Sequence, residues 1–391
     1  MARILVISPY EPPSDGIAKH TAHLVGAWDS DGHSVLVIAP GNERDLGRAE
    51  RIGSHSKVAR VLRKVPRRRT WNEVIEFQPD VVFVQFAIAA ASVNFWSIRS
   101  LSKKCFAAQI PVVVAYHEPL REYDLLGFVS RFIYRAMVRV TSVPIAFSSA
   151  GRQALTERGL FNEVAEFPHG TLGVATITDD DVQRVRDLYH VQKPLVLALG
   201  FTHPDKGTDV LLDAVDAIAE ARSNEVQFLI AGSPRRRRGI FRILERRDVK
   251  FQQHLENQGR QITAVDVAFR GFVPDSDVAA LLFVAEVVVL PYRKITQSGI
   301  ANLALSSRSV VVSSDLPGLR SDLGDAAKYV AVGDSRAIAK QIAGLLGDDN
   351  ASIRQHMREL SAERALVNTF ANVAEHILSI GLAQRGSKNS A

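Results

Sequence analysis

The chain has 391 residues, of which 46% are hydrophobic and 23% are charged, and its formal net charge at pH 7 is +6. This length and composition are typical of a globular protein with two or three domains, and they exclude an intrinsically disordered chain. Cys105 is the only cysteine, which excludes an intramolecular disulfide and a four-cysteine zinc site.

Short apolar runs alternate with amphipathic stretches through the first half of the sequence. The runs lie at residues 4–8, 35–39, 81–84, 112–115 and 145–148. Their nearly continuous apolar character is that of strands buried on both faces of a parallel sheet. The stretches between them, such as 17–28 and 128–140, have helical spacing.

The lengths of the apolar runs also indicate where in the cell the protein is located. The first run is too short for a signal peptide, and the longest apolar stretch, residues 81–96, is too short for a membrane-spanning helix. We therefore expect a soluble, cytoplasmic protein.

The second half repeats the alternation. Strands are predicted at residues 195–199, 226–231, 267–270, 287–290, 310–313 and 329–332, and helices at 207–221, 276–284, 300–305, 335–346 and 353–382. The pattern predicts an α/β fold with two doubly wound, Rossmann-like domains. Ligands of such sheets bind beyond the carboxyl ends of the strands, so we expect the domains to face a central cleft.

A polar junction suggests where the two domains divide. We expect an N-terminal, acceptor-side domain at residues 1–190 and a C-terminal, donor-side domain at 191–360. Residues 361–391 are predicted to form a helix that packs back on the first domain, followed by a frayed tail.

The excess positive charge is concentrated in two clusters. One comprises Arg60, Arg63, Lys64, Arg67, Arg68 and Arg69; the other comprises Arg235 to Arg238, with Arg242, Arg246 and Arg247. Such clusters form either a solvated face or a contact with an anionic membrane, which for the first cluster would be the inner face. Nucleic acid is not expected, because aromatic residues do not alternate with the basic ones.

Residues 41–69 also suggest a variable loop that binds the acceptor.

Two candidate site residues follow strands of the first domain. Gly16 precedes a predicted helix, where a glycine lets backbone N–H groups approach a phosphate, although a simple turn explains it equally. His117 lies at the end of the run 112–115. It is a candidate for binding a sugar hydroxyl or sharing developing positive charge, with a hydrogen-bonded loop histidine as the alternative. No metal-ligand spacing connects it with the other histidines.

The second domain opens with a sharper motif. Lys206 stands just before a predicted helix, where its ammonium group and the helix dipole together would neutralise a diphosphate. Gly232 ends the run 226–231, and its missing side chain would let a base or ribose approach. Gln297, Ser298 and Gly299 open another helix and could donate to phosphate or sugar oxygens. An N-cap role for Thr296 or Ser298 is the alternative.

Several segments resemble glycosyltransferase family 4, the retaining enzymes of GT-B architecture. They are Pro168-His169-Gly170, Pro204-Asp205-Lys206-Gly207 with Leu211-Leu212, Ala231-Gly232, Gly271-Phe272-Val273-Pro274, Leu290-Pro291-Tyr292, Gln297-Ser298-Gly299, Pro317-Gly318-Leu319 and Val332-Gly333-Asp334. The resemblance covers nearly the whole chain and is strongest over residues 195–345. The Gln-Ser-Gly motif is similar to one subgroup of the family.

The resemblance implies a reaction and a set of site residues. A sugar, expected to be a hexose, would pass from a nucleotide-diphosphate donor, most simply a UDP- or GDP-sugar, to a hydroxyl of a glycan, glycolipid or small glycoside. Catalytic roles fall to His117 and Lys206. Donor contacts fall to Gly16, His203, Lys206, Gly232, Gln297, Ser298, Gly299 and Asn302. Neither a metal nor another cofactor is implied, because Lys206 and helix N-termini would replace the cation.

Two departures from the family pattern leave alternatives open. The family's paired glutamates fall here on Lys294 and Asn302, and the positions for an arginine near the donor lysine hold Phe201 and His203. A nucleotide-sugar-binding protein with weak or lost catalysis is therefore the main alternative. A nucleotide-sugar 2-epimerase would need paired carboxylates that the sequence does not indicate.

Overall fold

The computed structural model describes residues 1–10, 16–40, 50–61, 68–91, 94–222, 225–234, 242–295 and 298–389. They form two compact units, each of which contains its own sheet. Unit 1 comprises Met1–Gly170 with Thr369–Ala391, and unit 2 comprises Thr171–Asn368.

Unit 1 contains an eight-stranded sheet. Its strands are β1 (Arg3–Ile7), β2 (Ser34–Pro40), β3 (Glu50–Arg51), β4 (Ser56–Val61), β5 (Val81–Phe86), β6 (Val112–Tyr116), β7 (Val143–Ala146) and β8 (Ala165–Glu166). The order is β3-β4-β2-β1-β5-β6-β7-β8, and every neighbouring pair is parallel except β3 with β4. The sheet is therefore doubly wound about β1, as the run of buried strands predicted.

Helices cover both faces of this sheet. They are α1 (Gly16–Ser30), α2 (Arg68–Phe77), α3 (Ile88–Ala91), α4 (Phe95–Ala107), α5 (Pro119–Glu122), α6 (Phe128–Val138), α7 (Ser149–Glu157) and the last helix of the chain, α17 (Phe370–Asn389). Side chains alternate between the faces, so Leu5 and Ile7 join one apolar core while Ile4 and Val6 join the other. This alternation explains why the strands are apolar throughout.

Unit 2 repeats the design with six parallel strands. They are β9 (Leu195–Leu199), β10 (Gln227–Ala231), β11 (Asp266–Arg270), β12 (Val287–Leu290), β13 (Val311–Ser314) and β14 (Ala327–Val330), in the order β11-β10-β9-β12-β13-β14. The helices are α8 (Asp179–Leu188), α9 (Thr208–Leu212), α10 (Val215–Ala221), α11 (Arg242–Gln261), α12 (Asp275–Val284), α13 (Gly299–Ser306), α14 (Pro317–Leu323), α15 (Ser335–Leu345) and α16 (Ala351–Val367).

The division between the units lies at Gly170, earlier in the chain than the predicted position near residue 190. The connecting segment packs within unit 2, because Val174 and Ile177 contact its core and the Ala175 amide donates to Ser306 O at 2.8 Å. The second crossing lies at Asn368 rather than residue 360. There the Thr171 amide donates to Asn368 O at 2.8 Å, and the chain enters α17 of unit 1.

Three local predictions were wrong. Part of the predicted acceptor loop at 41–69 forms β3 and β4, which place Arg60 on a strand beside β2. The helix predicted over 207–221 is broken between α9 and α10, and the one over 353–382 is broken between α16 and α17.

In the first basic cluster, Arg68 and Arg69 begin α2, whereas Arg63, Lys64 and Arg67 lie outside the described residues, as do Arg235 to Arg238.

Within the described part of the chain, no helix is both long enough and apolar enough to cross a membrane.

Helix α17 is fastened to unit 1 by a tryptophan. Trp28 of α1 is buried, its ring contacts Phe83 edge-on, and its Nε1 donates to Ala374 O of α17 at 2.9 Å. Gly381 allows the same helix to lie close to β5, because a Cβ there would lie 2.6 Å from Val81 Cγ2.

Trp28→Phe should lower the free energy of unfolding by about 1–3 kcal/mol, because it removes a buried hydrogen bond and leaves space where the larger indole ring packed. Urea denaturation followed by far-ultraviolet circular dichroism measures the change. Trp96→Phe is the matched control, because Trp96 is 60% exposed and the change should stay within about 0.5 kcal/mol. Equal losses in the two variants would contradict a stabilising role for the Trp28 hydrogen bond.

Candidate active site

The loop after β9 is held tightly against the loop after β12. A 3-10 turn at Pro204–Lys206 is followed by Gly207, whose φ of +61° suits glycine, and then by α9. A Cβ on Gly207 would lie 1.9 Å from Pro291 O. Glycine is therefore required at this position by both the backbone angle and the close approach of Pro291.

Lys206 lies over an aromatic ring from that neighbouring loop. Its Nζ is 3.7 Å from the centroid of the Tyr292 ring, which is a cation–π contact. Tyr292 is buried, and its hydroxyl is 3.4 Å from Ser298 Oγ. Tyr292 therefore contacts Lys206 through its ring face and Ser298 through its hydroxyl.

Ser298 caps that helix. Its Oγ accepts from the Ala301 amide at 3.2 Å, and its own amide donates to Asp322 Oδ2 at 3.0 Å. The N-cap role considered for Ser298 is thus confirmed. Gly299 follows as the first helical residue, is exposed, and has open space among the described residues where a Cβ would stand. Gln297 and Thr296 lie outside the described residues.

Asn302 and Asp322 form a buried polar pair one turn into α13. Asn302 Nδ2 donates to Ser298 O at 3.2 Å, while its Oδ1 is buried with no hydrogen-bond partner in the described part of the chain. Burial raises the pKa of Asp322 to about 7, although the hydrogen bond from Ser298, the nearby Arg364 and Asn302 all favour the carboxylate. This carboxyl group therefore titrates near neutral pH.

The sequence analysis missed Arg293 as a residue of this site. Its guanidinium group donates to both carboxylate oxygens of Asp209 at 2.7 Å and to Pro204 O at 3.0 Å. The Arg293 amide also donates to Asp205 O at 2.7 Å. The hydrogen bonds to Asp209 raise the pKa of Arg293. Arg293 thus reaches the loop after β9 from the loop after β12, the strand that pairs with β9.

His203 and Gly232 have structural contacts in the same unit. His203 Nδ1 accepts from the Asp205 amide at 3.0 Å, and its Nε2 lies 3.5 Å from Asp248 Oδ1 of α11. Gly232 has a φ of +150°, and a Cβ on it would lie 1.7 Å from Gly200 O. Its missing side chain makes room for the backbone of Gly200, which differs from the reason that the sequence suggested.

In unit 1, His117 joins a buried polar cluster at the carboxyl ends of β1, β5 and β6. Its Nε2 lies 2.6 Å from Gln85 Oε1, which is also 3.0 Å from His20 Nδ1. His20 Nε2 lies 2.7 Å from His169 O. The Phe147 ring packs against all three imidazoles, with centroids 4.9–5.6 Å apart. Residues far apart in sequence thus meet around one glutamine.

Burial keeps these histidines neutral. It lowers the pKa of His20 to about 4 and lowers the pKa of His117 and His169 well below the usual range. A neutral imidazole has a single N–H, which His20 gives to His169 O. Gln85 Oε1 faces His20 Nδ1 and His117 Nε2, while Gln85 Nε2 donates to Thr21 Oγ1 at 2.8 Å. His117 Nε2 therefore donates to Gln85 Oε1, since an amide oxygen can only accept.

Gly16 is the first residue of α1. It is exposed, and a Cβ there would have no described atom within 4 Å. Nothing in the described structure requires glycine at this position, so the phosphate role stays a prediction.

Two family models match the sequence. The model described as "Glycosyltransferase Family 4" matches residues 14–170, and the one described as "Glycosyl transferases group 1" matches residues 193–348. Together they span most of both units. The chain belongs to glycosyltransferase family 4. A search of curated protein sequences found no match to this glycosyltransferase.

Solved structures with the same fold are GT-B glycosyltransferases. Anabaena HepE in complex with UDP and glucose is 17% identical, with a TM-score of 0.71, over 98% of this chain and 100% of that chain. Sucrose-phosphate synthase from Thermosynechococcus elongatus is 17% identical, with a TM-score of 0.71, over 100% of both chains. A glycosyltransferase from Rickettsia africae is 13% identical, with a TM-score of 0.71, over 98% of both. The fold of this glycosyltransferase is therefore GT-B.

The raised pKa of Asp322 predicts a pH-dependent stability. The folded state holds the proton more tightly than the unfolded chain, so the contribution of Asp322 to stability is fully present below its ordinary pKa of 3.8 and is lost as pH rises to about 7. Asp322→Asn should remove this loss. Relative to wild type, the variant should gain about 2 kcal/mol between pH ~5 and pH ~8.

Urea denaturation of wild type and variant at the two pH values measures this difference. Asp325→Asn, at an exposed position in the following turn, is the control and should follow wild type. If Asp322→Asn and wild type change in parallel with pH, the carboxyl group does not titrate in this range.

Proposed function

We propose that this glycosyltransferase moves a hexose from a UDP- or GDP-sugar to an acceptor hydroxyl and retains the configuration at the anomeric carbon. The observation that carries the proposal is the position of Lys206, which lies over Tyr292 beside the N-terminus of α13.

The first argument is charge. Within the described residues, Lys206 forms no ion pair with a carboxylate, and its ammonium lies over the ring face of Tyr292. A lysine ammonium beside a helix N-terminus provides a site for a diphosphate. Negative charge grows on the departing nucleoside diphosphate in the transition state, so the same groups would stabilise departure.

The second argument is rigidity. Arg293 holds Asp209, Pro204 and Asp205 of the Lys206 loop by four hydrogen bonds of 2.7–3.0 Å. A loop fixed in advance loses little entropy when a donor binds. In this proposal Lys206 and the α13 N-terminus supply the positive charge that a metal ion would otherwise bring to the diphosphate.

His117 is the second residue to which we assign a role in the reaction. His117 is neutral at pH 7 because of its burial, so it would act by hydrogen bonding to a sugar hydroxyl and not as a cation. Retention would follow from departure of the diphosphate and attack of the acceptor on the same face, with the phosphate taking the acceptor proton. Anabaena HepE, which binds UDP and glucose, supports a uridine nucleotide and a hexose.

Lys206→Ala should weaken binding of the correct donor by about ten- to a hundredfold, because it removes a charge-assisted contact to the diphosphate. Isothermal titration with UDP-, GDP- and dTDP-sugars identifies the donor and measures the loss. Lys340→Ala, at an exposed position on α15, is the matched control and should bind as wild type does. Equal affinity in all three proteins would remove Lys206 from the site.

Product analysis separates transfer from the alternatives. Wild type, labelled donor and a cell extract should yield a labelled glycoside, and donor hydrolysis should appear without the extract. Binding without either product would favour a protein that has lost catalysis. The replacement of a family glutamate by Asn302 would then be the first candidate cause of that loss. Conversion of the free nucleotide sugar to its epimer would favour the epimerase.

The stereochemical prediction has a direct measurement. Proton NMR of the product formed at early times should show the anomeric configuration of the donor. Transfer should also persist after treatment with EDTA, since the proposed site uses Lys206. A product with the opposite configuration would contradict retention, and loss of transfer that added Mg²⁺ restores would contradict the metal-free site.

A further inference from the structure

One surface of unit 1 carries large apolar side chains that the fold leaves exposed. We call it the apolar patch: Trp96, Leu125, Leu126, Phe128, Val129 and Phe132, whose exposed fractions range from 39% to 82%. Leu125 to Val129 form a turn at the start of α6, Phe132 lies one helical turn further, and the rings of Trp96 and Phe132 are 6.2 Å apart. Single exposed apolar residues are ordinary, but six that lie on α4, on the start of α6 and on the turn before it mark an interaction surface.

Hydrogen bonds and buried side chains under the apolar patch hold its backbone in place. Ser130 is buried, and its Oγ donates to Tyr123 O at 2.7 Å and accepts from the Leu126 amide at 3.2 Å. Gly127 turns the chain with a φ of +57°. Tyr134 of the next turn is fully buried and stacks on Tyr116. These anchors fix the backbone, so the apolar side chains face solvent as a consequence of the fold.

The two helices that carry the patch have charges of one sign. Residues 94–107 and 128–140 contain no aspartate or glutamate. Their charged residues are Arg99, Lys103, Lys104, Arg131, Arg135 and Arg139. Arg99 also joins the helices, because its Nε donates to Ala136 O at 3.2 Å. Asp124 is the acidic neighbour, and it pairs with Arg131 at 2.8 Å and with Arg158 at 3.4 Å.

We propose that the apolar patch docks on an anionic lipid membrane. Tryptophan and phenylalanine are suited to the boundary between headgroups and acyl chains. Arginine and lysine around them attract acidic headgroups while their alkyl stems cover apolar surface. A second copy of the chain fits less well, because pairing through the same face would bring the two sets of positive charges together.

This surface differs from the basic cluster at residues 60–69. It combines apolar anchors with charge, and it is built from residues that the structure describes. Peripheral docking would keep unit 1 at the membrane surface through α4 and α6 without a spanning segment. The proposal does not rest on glycosyl transfer, since no donor or acceptor enters the argument.

Co-sedimentation of the full chain with vesicles tests the proposal. Wild type should bind vesicles of equimolar phosphatidylcholine and phosphatidylglycerol and should bind pure phosphatidylcholine far more weakly. Phe128→Ser with Phe132→Ser should lower the partition coefficient by roughly tenfold or more. Arg135→Gln with Arg139→Gln should lower it for the anionic vesicles, and added salt should reduce the difference from wild type. Phe272→Ser, an exposed phenylalanine of unit 2, is the matched control and should bind as wild type does.

Tryptophan emission gives an independent reading. Anionic vesicles should shift the emission of wild type to shorter wavelength, and Trp96→Phe should lose most of the shift, because Trp28 is buried and Trp71 packs on the core. Unchanged binding in the Phe128/Phe132 variant would overturn the proposal. So would an apolar-patch-dependent dimer in analytical ultracentrifugation without lipid. Neither assay uses a sugar nucleotide, so failure here leaves the proposed transfer reaction untouched.

Discussion

The geometry of the loops around Lys206 depends on the ion pair between Arg293 and Asp209. The two residues are 84 positions apart and meet through two parallel hydrogen bonds of 2.7 Å. Both side chains are partly exposed, so the pair adds modest stability, but its planar two-point geometry fixes orientation. With Gly207 pressed against Pro291 O, it sets the distance between the loops after β9 and β12. The contact of Lys206 with Tyr292 follows from that distance.

The strands could be predicted because their burial on both faces leaves a plain sequence signal. Runs such as 195–199 and 287–290 coincide with strands of the structure. β4 escaped prediction because it carries Lys57 and Arg60 and has no continuous apolar run. Gly232 stood out as a glycine after a strand, and Gly207 belongs to a family motif. The need for glycine at each position became visible only from the carbonyl of Pro291 or Gly200 that a Cβ would meet. Arg293 carried no local signal, because its meaning depends on a partner far away in the sequence.

The candidate site residues of the two units differ in charge. Unit 1 gathers three histidines, but burial keeps all three neutral, and Gln85 contacts two of them with a neutral amide. Unit 2 places a lysine ammonium on an aromatic ring beside a helix N-terminus. The buried histidines of unit 1 are therefore suited to neutral hydrogen-bonding partners, and the Lys206 loop of unit 2 is suited to an anion.

The departure at Asn302 has a physical reason in the packing of α13. Asp322 lies beside it, buried, with its Oδ2 accepting the Ser298 amide, and its pKa is already raised to about 7. A glutamate at position 302, which the family pattern contains, would bring a second carboxylate into this space, and two buried carboxylates cannot both stay charged. Asparagine keeps a polar side chain there and adds no charge, so Asp322 can hold Ser298 as the cap of α13. The loss of one carboxylate from the family pattern is thus compatible with an intact N-terminus of α13.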